Sequence, residues 1–262
     1  RHPLVPTITN YVTVNDCANI LLACGGSPIM ADDASEAEEI TALCAGLNIN
    51  IGTLNARTIP AMLAAGKKAN QLGRPVVLDP VGAGASRLRT DTALGLLDQV
   101  RFAVVRGNIS EIKTLALGSG STRGVDAGVG DAVTKESLEE AVRFAKDFAR
   151  KTGAVAAITG AIDIVAGGER AFCIFNGHPM MSRVTGTGCQ LSAMTAAYVA
   201  ASPDRPLEAA AAAVCAMGVC GEIAHRRLGE LDGNASYRNY IIDAAYHLDG
   251  ETLERCANYE IL

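Results

Sequence analysis

The sequence predicts an α/β protein with a mostly parallel central sheet, helices packed on both of its faces and a hairpin at one edge. Three observations carry this expectation. Short apolar runs such as Val76-Val77-Leu78 and Val155-Ala156-Ala157-Ile158 are continuous rather than alternating, as strands buried on both faces are. Stretches of helical spacing separate them, which is the alternation of a parallel sheet. Two β-like runs at 161–166 and 170–175 are divided only by Gly167-Gly168-Glu169, the spacing of a hairpin.

In chain order, residues 46–52 read as a buried strand, and 57–72, with Ile59, Met62, Leu63 and Ala69 near helical spacing, as the helix after it. Residues 75–79 form a strand ended by Pro80. A helix around 90–97 precedes a strand at 102–105, and 111–117 lies on a further helix. The charged and apolar stretch 135–151 is a long helix before the strand 155–159. Beyond the hairpin the chain is almost all helix, at 188–201, at 206–228 and, more weakly, at 237–248. No Ser/Pro-rich or charged linker divides the chain, so residues 1–262 are expected to form a single domain.

Composition narrows the function. Hydrophobic residues make up 49% and charged ones 19%, which excludes a disordered chain. A net charge of −5 argues against nucleic acid, whose phosphates need a basic face. No apolar run of bilayer length is expected, and Arg1-His2-Pro3-Leu4-Val5-Pro6 lacks the apolar core of a signal peptide. A cytoplasmic protein without a membrane partner is therefore expected. Eight cysteines form no Cys-x-x-Cys pair and sit mostly among Ala, Leu and Val, so they read as buried, reduced thiols. Four scattered histidines give no zinc spacing.

Ligands of such sheets bind beyond the carboxyl ends of the strands. Asp79 ends one strand, followed by the flexible Pro80-Val81-Gly82-Ala83-Gly84-Ala85; Arg106-Gly107-Asn108 ends the next; Thr159-Gly160 ends a third. Val184-Thr185-Gly186-Thr187-Gly188-Cys189 then runs straight into an apolar helix. Glycines there let a backbone approach a ligand, and the first free N–H groups of the helix make an anion seat. Cys189 places a thiol at that seat. Asn108 and Glu111 lie one turn apart and also fit a helix capping box.

Together these groups suit phosphoryl transfer. Asp79 and Glu111 suit Mg²⁺, which keeps waters and bridges phosphate oxygens. Arg106 and the helix N-terminus would offset charge on the moving group. There is no P-loop, dinucleotide or nucleophile-elbow motif. The glycine-rich loop 118–130, with Arg123 and Asp126, reads as a surface connection or as a lid.

Gly186-Thr187-Gly188-Cys189, Asn108-x-x-Glu111 and Asp79-Pro80-Val81-Gly82 resemble the ribokinase-like superfamily, specifically the hydroxyethylthiazole kinases. Ile8-Thr9-Asn10-Tyr11-Val12, Gly26-Ser27-Pro28-Ile29-Met30-Ala31 and Arg106-Gly107-Asn108 strengthen the likeness, which weakens after about Gly229. The resemblance implies a three-layer ribokinase-like fold and ATP-dependent phosphorylation of the primary alcohol of 4-methyl-5-(2-hydroxyethyl)thiazole, a salvage step toward thiamine. It implies that Arg106 and Thr159 contact ATP, that Met30 and Gly186 contact the thiazole with Asn10 near the substrate, and that Asp79 and Glu111 serve the Mg²⁺–phosphate region. It also implies a homotrimer with each thiazole pocket completed by a neighbour. Many relatives carry Asp where this chain has Cys189, which assigns Cys189 as proton acceptor. Rival readings are a kinase for hydroxymethylpyrimidine or a sugar on the same fold, a thiol hydrolase using Cys189, and a non-catalytic binding protein.

Overall fold

The computed structural model describes residues 2–118 and 133–262, and within them one nine-stranded sheet runs in the order β2-β1-β3-β4-β5-β6-β7-β8-β9. Strands β1 (Leu4–Ile8), β2 (Ser27–Ile29), β3 (Leu47–Asn50), β4 (Val76–Asp79), β5 (Val104–Asn108) and β6 (Val155–Thr159) are parallel. Strands β7 (Asp163–Ala166), β8 (Ala171–Ile174) and β9 (Tyr259–Ile261) continue the sheet antiparallel. Apart from Gly118, the 118–130 loop, with Arg123 and Asp126, lies outside the described residues.

Because alternate strand residues face opposite sides, the sheet feeds two cores. Val77 and Val104 pack with α1 (Val14–Ala23), α7 (Thr187–Ala201), α8 (Pro206–Arg227) and α9 (Asn234–His247). Val76, Leu78 and Val105 pack on the other side with α2 (Ala37–Leu43), α3 (Thr58–Gln71), α4 (Arg87–Gln99), α5 (Ile109–Leu117) and α6 (Leu138–Thr152). On α6, buried Ala141, Val142, Ala145, Phe148 and Ala149 form one stripe, the pattern that drives a helix onto a sheet.

The expected strands and helices are present, with ends shifted by a few residues. Three differences matter. The hairpin β7–β8 is not the outermost pair, because β9 joins it after the short helix α10 (Gly250–Cys256). The N-terminal elements β1, α1, β2 and α2 are not among the elements expected from the sequence. Pro6 interrupts β1, and it sits where the strand hands over from β2, paired along residues 4–6, to β3, paired at residues 7–8. Such a switch point tolerates a missing N–H. Finally, α8 is a correction to the expectation that no apolar run reaches bilayer length: it is long and apolar enough to cross a membrane, yet most of it is buried in this fold. Its Ala, Gly and Cys residues pack closely against α7 and α9 rather than meeting lipid.

Candidate active site

Asp79 closes β4 and is wholly buried. Its Oδ2 accepts from Asn50 Nδ2 at 2.8 Å and from Ser192 Oγ at 2.8 Å. Arg106 Nη1 donates to the same oxygen at 3.3 Å. The other arm of the guanidinium, Nη2, donates to Thr159 Oγ1 at 2.8 Å, so Arg106 spans from the end of β4 to the end of β6. Its Nε is buried without a partner. Burial pushes the Asp79 carboxyl up, and the Arg106 charge and the hydrogen bonds pull it back.

The glycine turn meets this arginine. A Cβ placed on Gly188 would stand 2.6 Å from Arg106 Nη2 and 2.7 Å from Nη1, so only glycine lets the guanidinium lie flat against the first turn of α7. Gly186 caps that helix with φ +88°, a left-handed conformation that glycine adopts without strain. A fixed cation and the positive end of a helix thus converge on one spot, an arrangement able to hold an anion.

Cys189 occupies the same turn, 9% exposed. Asn10 Nδ2 donates to its sulfur at 3.3 Å and to Asn50 Oδ1 at 3.0 Å. Asn10 Oδ1 accepts from the N–H and hydroxyl of Thr13 at 3.1 and 3.0 Å, which fixes the amide's orientation. Cys189, Asn10, Asn50, Asp79, Arg106 and Thr159 therefore form one connected chain of contacts. The buried thiol of Cys17, beside Thr13, is pushed up to about 12 by desolvation and by the nearby Cys189.

Glu111 is a capping-box residue. Its Oε2 accepts from Asn108 N at 2.8 Å while Asn108 Oδ1 accepts from Glu111 N at 2.9 Å. Its Oε1 accepts from Gly82 N at 2.8 Å, pinning the loop after Asp79. Both capping and proximity to the site are realised at once. Burial raises the Glu111 carboxyl, and the Asp79 charge raises it further.

Beside these groups lies a cleft of about 540 Å³. Arg106, Thr159 and Gly188 line it together with Phe175, Pro179 and Met217. Met30 is not among its lining residues; it follows β2 and packs, half-buried, against the core cluster that contains Cys189. His178 lines the cleft, stacks on His225 at 3.5 Å and accepts from Met180 N. The partner of Cys189 is Asn10, not a histidine, so this geometry gives a thiol hydrolase no base.

Asp163, at the start of β7, also borders the cleft and accepts from Gly160 N at 2.8 Å. Burial raises its carboxyl to about 6, against the pull of the Gly160 hydrogen bond and Arg106. A raised carboxyl pKa favours the folded state below about 4, the unfolded value, and that contribution is lost as pH rises through about 6. Asp163→Asn is therefore expected to raise the melting temperature at pH 7.5 and to have little effect at pH 4. A variant less stable at pH 7.5 than at pH 4, relative to the parent, would refute this.

Sequence reasoning did not find Asn50 and Ser192. Asn50 left a signal, since the apolar run at 46–52 carries buried amides at 48 and 50, and buried polar groups in a strand need partners. Ser192 lies one turn beyond Cys189 on the same helix face.

A match to the Hydroxyethylthiazole kinase family spans residues 1–251. The chain belongs to the hydroxyethylthiazole kinase family. It is 65% identical over 259 residues to the hydroxyethylthiazole kinase of Clostridium acetobutylicum, covering 99% of this chain and 95% of that one. The hydroxyethylthiazole kinase structure from Pyrococcus horikoshii superposes with a TM-score of 0.87 at 37% identity, covering 100% of this chain and 94% of that one. A ribokinase-like superfamily protein of Enterococcus faecalis matches at a TM-score of 0.61 and 12% identity over 93% of this chain and 87% of that one, which speaks for the fold alone. The three-layer architecture is thus ribokinase-like, and the family is one of kinases.

Proposed function

We propose that this chain transfers the γ-phosphate of ATP to the primary alcohol of 4-methyl-5-(2-hydroxyethyl)thiazole, a salvage step toward thiamine. The observation that carries the reading is Arg106 lying against the N-terminal turn of α7, where both line the cleft. The cleft takes the nucleotide, with Arg106 and Thr159 at its phosphates. The thiazole lies on the Asn10, Met30 and Gly186 side, so the alcohol faces Cys189. The alcohol oxygen bonds to the γ-phosphorus, the bond to the bridging oxygen breaks, and ADP leaves. The alcohol's proton passes to Cys189 in its thiolate form, the thiol having first lost its own proton to solvent, or directly to solvent, and the backbone N–H groups and Arg106 hold the charge that spreads over the phosphoryl oxygens.

Asp79 and Glu111 fit Mg²⁺ held through its waters. Both Glu111 oxygens already accept backbone N–H groups, and Asp79 Oδ2 takes several donors, while Asp79 Oδ1 has only a 3.4 Å contact with Arg106. Carboxylates so engaged retain lone pairs for metal-bound water but do not form a full cage, which is the habit of Mg²⁺ with phosphates. When bound, the ion would neutralise phosphate charge.

Tyr11 and Val12, next to Asn10, are 79% and 57% exposed, and we assign this apolar edge to a neighbouring subunit of a homotrimer. Light scattering at the trimer mass supports this; a monomer at assay concentration rejects it. The eight free cysteines suit a reducing compartment, and we place the chain in the cytoplasm.

ADP release measured with the thiazole alcohol, hydroxymethylpyrimidine and ribose side by side tests the reaction. The thiazole is expected to give the highest kcat/KM; another alcohol winning rejects the assignment. Cys189→Ala is expected to lower kcat by about 10²-fold, within the usual range for a proton-transfer group, while leaving measurable turnover. Cys189→Asp keeps an acceptor for the Asn10 N–H and is expected to retain or raise the rate. Should it bind both substrates normally yet turn over no faster than Cys189→Ala, the base role is lost.

A further inference from the structure

We propose that the last residues of the chain clamp the far wall of the nucleotide cleft and so set its affinity for ATP. The inference rests on the reading that this cleft holds the nucleotide. Residues 175–178 continue β8 into the cleft and form that wall. Asn176 is 9% exposed, and the hydrogen bonds of its side chain are all made to protein groups behind the wall. Its Nδ2 donates to Glu222 Oε1 at 3.1 Å and to the Cys256 carbonyl at 2.9 Å. Its Oδ1 accepts from Asn258 N at 2.7 Å.

The neighbours on either side are tied to the same supports. Phe175 N donates to the Asn258 carbonyl at 2.9 Å, and Gly177 N donates to Glu222 Oε1 at 2.9 Å. Helix α8 presses on the wall as well, since a Cβ on Gly218 would stand 2.7 Å from Asn176 Cβ. The wall is therefore held by α8 and by the segment 256–258 together, which meet at the Asn176 amide.

Ala257 of that segment also packs against the core cluster. The residues of β9 lie on the exposed margin of the sheet, where the Tyr259 ring meets Phe172 at 5.7 Å and backbone bonds, such as the pair between Ala171 and Leu262 at 2.9 Å, hold the strand. A segment with so many bonds to one cleft wall is a positioning device. Asn176 is its contact point, and the amide touches no reacting atom.

Two variants test this, read by calorimetric ATP binding in the presence of Mg²⁺ and by separate KM values for ATP and alcohol. One is the chain truncated after Ala257, which removes the Asn258 donor and β9; the other is Asn176→Ala in the full chain. Each is expected to weaken ATP binding about tenfold, the change that loss of a buried hydrogen bond supports. The KM for the alcohol is expected to stay within about twofold, because that site is on the other side of Arg106. Glu260→Ala, which keeps the β9 backbone, is expected to bind ATP like the parent. Should the truncated chain not fold, Asn176→Ala decides alone. Parent-like ATP affinity in Asn176→Ala overturns the clamp, as does an equal rise in both KM values. Failure of the intact parent to bind ATP would instead remove the nucleotide reading itself, before any variant is made.

Discussion

Arg106→Ala is expected to lower kcat by about two to three orders of magnitude, the loss typical of removing one preorganised charge-stabilising donor. The Arg106 side chain is 11% exposed and meets the helix turn at Gly188, and water entering from the cleft would carry no fixed charge in its place. Its loss removes positive charge where the phosphoryl group passes, and it also strands Asp79. That carboxylate is wholly buried; without the arginine, burial pushes its pKa higher still. Breaking a buried pair from one side costs about 3–5 kcal/mol. The destabilisation should shrink as pH falls and Asp79 takes a proton. Arg106→Lys is expected to recover only part of the rate, since an ammonium cannot reach Asp79 and Thr159 with two separate arms. Steady-state kinetics with ATP varied, beside denaturant melts at pH 5 and 7.5, check both halves. A kcat within tenfold of the parent would end the assignment of Arg106 to the transferred phosphoryl group.

Gly186→Ala is expected to cost about 2–5 kcal/mol of stability and most of the activity. Two penalties add. The residue holds φ +88°, where an L side chain costs roughly 1–2 kcal/mol, and its new Cβ would stand 2.4 Å from Thr13 Cγ2, an overpacking that costs about 1–3 kcal/mol. Relief by shifting α7 would carry Gly188 away from Arg106, which is why rate and stability should fall together. The melting temperature should drop by about 4–20 °C, at about 2–4 °C per kcal/mol for a chain of this size. Adding Thr13→Ser removes the clashing methyl and should return part of the stability but not the backbone strain. A melt unchanged in Gly186→Ala would show that the turn relaxes freely.

The layered fold was legible because its parallel strands are short, apolar and ended by turn residues: Val76-Val77-Leu78 before Asp79-Pro80 is a signal any reading along the chain meets. Elements at the two margins of the sheet were not. Pro6 breaks the pattern of β1, β2 has three residues, and β9 is exposed on all of its residues, so neither periodicity nor apolar content marks them. Each exists because a neighbouring strand supplies its hydrogen bonds, which is a tertiary fact. The site divided in the same way. Asp79, Arg106, Thr159 and Cys189 stood at strand or helix ends, where the topology of a parallel sheet puts ligands. Asn50 and Ser192 hold Asp79 in place from positions that read as ordinary strand and helix. Met30 follows the short β2, and its link to the pocket rests on resemblance rather than on a contact seen in the chain.

The contacts running from Cys189 through Asn10, Asn50 and Asp79 to Arg106 and Thr159 tie the carboxyl ends of β3 to β6, and the turn after β1, to one another. Such a seam leaves no member free to be altered alone. Substitutions at Asn10 and at Arg106 share no direct contact, yet their effects should fail to add, because each changes how Asn50 and Asp79 are held. The thiol end and the phosphate end behave as a single rigid unit whose alignment is complete once the sheet has formed. Little reorganisation is then left for the moment of transfer.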